Sequence, residues 1–242
     1  MVDNVNQNIA MILEVETSAK LIKFGLREIQ NLSGANVFYY IPLFMLSNGI
    51  ERMMKCIICL NHYNKHNNFP DRTIFPKGKK GHNLKFLLNK ITNECFSEDY
   101  QLNIPAAKSD IAFIKTNLEI RKFLQILSDF AESDRYHNLN VVLNDLNKSK
   151  NPDDEFAKLE MFILDRNPEI KKFIYDLIKS EIGYSSLNKY LVIYLEIFIR
   201  ALSRLFTIGN LGKLAKQCSI YFNHYLFLTD DKLGHSDYSK VG

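Results

Sequence analysis

Apolar residues recur along this chain at three- and four-residue steps, broken by short polar clusters, a period that belongs to amphipathic helices. From about Asn6 to Gln30, Ile9, Ile12, Leu13 and Ala19 form one stripe, with Glu16 early and Lys20, Lys23 and Arg27 late. That charge order suits the helix dipole, and Asn31 to Gly34 closes the segment. A second long helix is expected from about Phe38 to Tyr63, on Leu43, Leu46, Ile50, Met53, Met54, Ile57, Ile58 and Leu60. Pro42 falls in its first turns or kinks it. Between His62 and Gly81 the composition shifts to Asn, Lys, Pro and Gly, the turn chemistry of a long surface connection.

Helical spacing resumes from His82 to about Glu94, and Pro105 marks the start of another helix ending near Ala131. Ser133 to Asn140 is polar, lacks an apolar stripe and is expected to be a connection or short irregular turn, with a second connection around Asn147 to Asp153. Further helices are expected near Asp154–Leu164, Pro168–Glu181, Ser185–Phe206 and Leu211–Leu228, and the polar tail from Asp230 reads as loosely held. No segment of strand length alternates, and no internal repeat or low-complexity linker is visible. The fold class expected is all-α, a bundle of about eight helices. One domain over 1–242 is the simplest organisation; a division into 1–147 and 153–242 leaves each half enough apolar helix to pack.

Composition narrows the picture further. The chain has 242 residues, 46% of them hydrophobic and 24% charged, enough for a packed core and far from a disordered composition. A net charge of +4 is compatible with a phosphate-bearing partner but falls short of a DNA-coating protein. Cys56, Cys59, Cys95 and Cys218 are too few and scattered for a disulfide framework and read as reduced thiols of a cytoplasmic protein. The first ten residues lack the basic start and apolar core of a secretory signal. The most apolar run, Tyr190 to Ile199, carries Glu196 and is followed by Arg200, so it reads as a core helix and no membrane partner is expected. Arg200 and Arg204 on that helix are expected to pair with acids or with a partner.

Three stretches carry the candidate chemistry: SNGIERMMKCIICL in the second helix, KGHNL at the end of the long connection, and SDRYHNLN after the fourth helix. Together, over roughly Ser47 to Asn140, they resemble HEPN-like helical proteins of bacteria: a long helix with an acidic–basic pair, a His-bearing helix start, then a polar motif with Arg. That resemblance implies a four- to five-helix core, often dimeric. It also implies either metal-independent ribonuclease activity in toxin or defence systems, or noncatalytic nucleotide binding. The family's ribonucleases separate their Arg and His by roughly four to six residues, which puts both on one helical face. Here the nearest pairs are Arg52/His62, Arg72/His82 and Arg135/His137, none of which has that spacing.

Metal-free RNA cleavage needs a cation for the phosphate charge and an imidazole for proton transfer. Arg135 would supply the first and His137 the second, with Tyr136 stacking on a base and Asn138 positioning the backbone. The competing reading makes Arg135 a helix-end anchor and His137 and Asn138 turn-forming residues. Lys77, Lys79 and Lys80 precede His82 at a helix start, an arrangement that can hold an anion or can be a solvated loop. Glu51 and Lys55 are spaced to pair on the helix surface, and Glu51 or Arg52 could instead reach a cleft near Arg135. Cys56 and Cys59 fill core space on this reading, and His62 and His66 lack the further ligands a metal site requires. With no Gly-rich phosphate loop or hydrolase elbow, neither cofactor nor metal is expected. The partner expected is RNA or a nucleotide, bound by a homodimer. The rival is a noncatalytic interaction protein that assembles through Leu191–Phe206 or Leu211–Leu228.

Overall fold

The computed structural model describes residues 2–145, 149–176 and 178–240, with the side chains of residues 2–4 and 79 outside that set. Its frame is an antiparallel pair, α1 (Val2–Gln30) and α2 (Tyr40–His66). Small residues let these two helices approach closely. A Cβ at Gly49 would lie 2.8 Å from the backbone nitrogen of Ile22, and the Ser18 hydroxyl donates to the Gly49 carbonyl at 2.8 Å. Next along the chain come α3 (Leu84–Glu94), α4 (Glu98–Asn103), α5 (Pro105–Thr116) and α6 (Leu118–Glu132), with α3 and α6 packed on α2. They are followed by α7 (His137–Val142), α8 (Pro152–Arg166), α9 (Pro168–Ile174) and the long α10 (Ser180–Thr207). α11 (Gly212–Cys218) and α12 (Asn223–Leu226) complete the helices.

Helix is the only regular structure among the described residues, apart from one isolated bridge between Ser33 and Asn36. One apolar cluster runs through the molecule from Val15 to Tyr238, with Ile22, Leu46, Ile57, Phe198 and Phe206 fully buried. None of the described helices is long and apolar enough to cross a membrane.

Several boundaries differ from expectation, each for a local reason. The helix expected from Pro105 to Ala131 is two helices, because Asn117 takes an extended ψ and its side chain accepts from the Ile120 N–H at 2.9 Å, capping α6. Ser97 caps α4 in the same way through the Tyr100 N–H. α9 stops early: the Asp176 carboxylate accepts from the backbone N–H groups of Ile178 and Lys179 at 2.9 and 3.3 Å, and α10 then starts at Ser180. Leu211–Leu228 is divided by a 3-10 turn over Ser219–Phe222. Ser133–Asn140 is not an irregular connection. Asp134–Tyr136 makes a 3-10 turn that leads into α7, and the buried Asp134 carboxylate accepts from the Ser133 hydroxyl and the Lys150 N–H. Part of the Asn147–Asp153 connection lies outside the described residues.

The largest correction concerns the tail, which is pinned. Tyr238 is buried, its hydroxyl donates to Glu196 Oε1 at 2.8 Å, and the Gly234 N–H donates to Glu196 Oε2 at 2.6 Å. Gln30, at the end of α1, clasps the same segment, donating to the Ser236 carbonyl at 2.7 Å and accepting from the Tyr238 N–H at 3.1 Å. Glu196, the acid that interrupts the most apolar run, is thus the tail's anchor. Arg200 and Arg204 do pair with acids, Asp230 and Asp110 respectively, each at 2.6 Å.

Candidate functional site

His82 is placed by a tight backbone turn. A Cβ at Gly81 would lie 2.5 Å from the Pro76 carbonyl oxygen, so only glycine lets the chain fold back here between the lysine-bearing loop and α3. The turn directs the imidazole at α2, where Nδ1 lies 2.9 and 3.1 Å from the two carboxylate oxygens of Glu51. A carboxylate only accepts, so Nδ1 carries the hydrogen and, in the neutral ring, Nε2 keeps a free lone pair. Glu51 is buried and also accepts from Lys55 at 2.6 Å, and the Lys55 ammonium sits 5.5 Å from the centre of the Phe75 ring. The Glu51–Lys55 pair is therefore present, but it belongs to a three-residue network with His82.

On the other side of His82, Asn83 caps α3 by accepting from the Phe86 N–H at 2.7 Å and donates to Glu132 of α6 at 2.7 Å. Ser128 holds the same carboxylate at 3.0 Å and accepts from the Leu84 N–H. These bonds join the start of α3 to the end of α6, and the 3-10 turn then carries Arg135 and Tyr136 to the same place. The result is a cleft of about 340 Å³ walled by His82, Ala131, Glu132, Ser133, Arg135, Tyr136 and Asn140. Tyr40 fixes the Arg135 backbone by donating to its carbonyl at 2.7 Å, and the Arg135 guanidinium lies 5.1 Å from the centre of the Tyr136 ring. Among the described residues Arg135 has no acidic partner, and Tyr136 is 55% exposed, so a cation and an aromatic face are both open to a ligand.

Arg135, Tyr136 and His82 thus share one cleft, although the last is 53 positions from the first. His137 is turned to Ser149, whose hydroxyl lies 3.3 Å from its Nδ1 and also accepts from Asn140 at 3.1 Å. Asn138 is exposed and lies outside the cleft wall, as are Lys77 and Lys80 on their loop, while the Lys79 side chain lies outside the described residues. Arg52 points the other way and pairs with Glu14 of α1 at 2.5 Å. Neighbours on a helix diverge by about 100°, so Glu51 and Arg52 cannot serve one site. No protein-family model, curated protein or solved structure matches the chain.

Asn140 and Glu132 are site residues that the apolar pattern did not single out. Glu132 sits at the end of an otherwise ordinary amphipathic helix, and Asn140 within a polar run. The thiols offer no alternative nucleophile: burial pushes Cys59 and Cys218 up to about 11 and Cys95 to about 12, and Cys56 is raised as well. Among the described residues no three His, Cys, Asp or Glu side chains gather as a metal site would need. The His62 and His66 rings lie 4.4 Å apart between centres, tilted by 42°, with His62 Nδ1 3.0 Å from the Asn68 carbonyl.

Proposed function

We propose that this chain is an HEPN-like, RNA-binding helical protein of the bacterial cytoplasm whose cleft engages RNA phosphate and cleaves the backbone without a metal. The observation that carries this reading is the meeting of a carboxylate-held imidazole, His82 on Glu51, with the unpaired Arg135 guanidinium and the exposed Tyr136 ring in one cleft. Arg135 neutralises the phosphate as charge builds on its oxygens, and Tyr136 stacks on a base. His82 Nε2 takes the proton of the 2′-hydroxyl as that oxygen attacks the adjacent phosphorus, and the 5′-oxygen leaves with a proton from solvent. Glu51 is a positioning residue that fixes the imidazole's tautomer and orientation. In this assignment His82 replaces His137 as the proton-transfer group, because His137 is occupied with Ser149 outside the cleft wall.

The test is incubation of labelled single-stranded and structured RNA with the protein in EDTA. Cleavage that is lost in both His82→Ala and Arg135→Ala, and kept in His137→Ala, is the expected result. Glu51→Gln is expected to keep RNA affinity while lowering the cleavage rate and displacing its pH profile, which a merely structural role would not do. No cleavage together with no salt-sensitive binding sinks the reading.

A noncatalytic interaction protein is the second reading, and one feature favours it. Leu139, Val142 and Leu143, on and just after α7, are 53%, 79% and 65% exposed beside the cleft. Of the two surfaces expected for assembly, Leu191–Phe206 is spent on the chain's own core, with Leu191, Leu195, Phe198, Leu202 and Phe206 buried, whereas Leu211–Leu228 leaves Ile220 and Phe227 60% and 77% exposed. In either reading a homodimer would use the α7 surface, where three apolar residues lie together, and charged substitutions at Val142 and Leu143 are expected to leave a monomer by light scattering; a dimer that survives them and is broken by charge at Ile220 and Phe227 would move the interface to Leu211–Leu228.

A further inference from the structure

A second groove opens between α3, α5 and α6, with a volume of about 330 Å³. Lys85 comes to it from α3, Lys115 from α5 and Arg121 from α6, and no acidic side chain shares its wall. Among the described residues none of these three cations has an ion-pair partner; the only bond from them is a 3.4 Å contact from Arg121 to the Lys115 carbonyl. Asn89, Thr92 and Asn93 line the α3 side and add neutral donors and acceptors.

This groove is in line with the cleft. α3 and α6 run antiparallel, tied at one end by the Asn83–Glu132 and Leu84–Ser128 bonds beside the cleft. Arg121 and Glu132 are eleven positions apart on α6, which at about 100° per residue returns to within about 20° of the same face. Leu124 and Ala131 are related in the same way at seven positions, the first in the groove and the second in the cleft. Lys85 lies one turn beyond His82, and α3 from Leu84 to Asn93 extends the surface by about 15 Å. The paired helices thus present one strip, with the imidazole and Arg135 at one end, Lys85 one turn further on, and Lys115 and Arg121 toward the other end.

We infer that the groove holds the backbone phosphates of a single-stranded RNA several nucleotides away from the phosphate in the cleft, so that the substrate class is an extended oligonucleotide rather than a mononucleotide or a duplex. The inference rests on the RNA reading of the cleft. Point cations in a shallow groove contact phosphate without reading sequence, and a single strand leaves its bases free to stack on the exposed Tyr136 ring, which a duplex keeps paired. The groove sets affinity and length dependence, and the cleft sets the chemistry.

The experiment is fluorescence anisotropy with a labelled dinucleotide and an oligouridylate of about eight nucleotides, across a salt series. It compares wild type, Lys85→Gln/Lys115→Gln/Arg121→Gln, and Arg135→Ala. All three groove positions are exposed, so the triple variant is expected to fold normally. For it we expect unchanged dinucleotide binding, about tenfold weaker binding of the longer strand, and a salt slope shallower by about 2 for three lost phosphate contacts. An unchanged slope, or a longer strand that binds no better than the dinucleotide, overturns the inference. If longer-strand binding falls in Arg135→Ala but not in the triple variant, the cleft reading stands and the groove is overturned. If it falls in the triple variant and not in Arg135→Ala, the groove stands and the cleft reading fails. Absence of binding by either RNA overturns both.

Discussion

Two polar segments, Ser133–Asn140 and Asp230–Lys240, look alike in the sequence and have opposite fates in the fold. The tail turns its polar groups inward: Tyr238 and the Gly234 N–H satisfy a buried carboxylate, and Gln30 takes up the backbone on either side. In the first segment Asp134 alone is buried, and His137 and Asn140 meet Ser149 at the surface, while the Arg135 guanidinium and the Tyr136 ring remain open on a cleft wall. Polar composition therefore says little about whether a segment is structural or functional. What separates the two is whether each polar atom's partner is supplied by the chain itself, and those partners lie far away in sequence.

That contrast can be broken at several points. The largest effect is expected at Tyr238→Ala, which removes a buried aromatic ring and strips the buried Glu196 of a donor; a loss of about 3–5 kcal/mol in denaturant unfolding is expected. Tyr238→Phe keeps the ring and isolates the hydrogen bond, with an expected loss of about 1–3 kcal/mol. An equal cost for the two variants would mean that the tail is held by the hydroxyl alone.

Glu160 offers a pH-dependent counterpart away from both segments. Burial outweighs its hydrogen bond from Tyr39, at 3.0 Å, and raises its carboxyl to about 7. The folded state then holds the proton more tightly than the unfolded chain, so stability falls as pH rises from about 4.5 to about 7 and levels off above. Glu160→Gln is expected to be more stable than wild type at pH 8 by on the order of 2 kcal/mol, with the advantage vanishing near pH 4. An advantage independent of pH would show that packing, not ionisation, is responsible. The smallest effect belongs to the cleft, where Arg135→Ala is expected to shift stability by no more than about 0.5 kcal/mol while weakening RNA binding and abolishing cleavage. A large destabilisation there would make Arg135 a structural anchor like Tyr238.

The helical class and the cores of the long helices were legible because their apolar spacing is strong and local. Leu43, Leu46, Ile50, Met53 and Ile57 are all buried, as their period implies. Helix breaks at Asn117 and Asp176 escaped because a single capping side chain overrides the apolar period without altering it. At the site, Arg135 and Tyr136 stood out as polar residues between apolar helices, and His82 as a histidine after lysines. Their meeting, and the diversion of His137 to Ser149, depend on α3 and α6 lying antiparallel, which no local pattern encodes. Glu51 is legible as half of a surface pair or as a residue for the cleft, but not as the carboxylate that holds His82, which is 31 positions away.

The clasp between Gln30 and Ser236 also bears on how the molecule assembles. It closes a loop of 206 positions, and the entropy of bringing such distant residues together is met only once the intervening helices have packed. The tail is therefore a late arrival in folding. Burial of Tyr238 should be among the last changes to appear during refolding, and its release among the first events of unfolding.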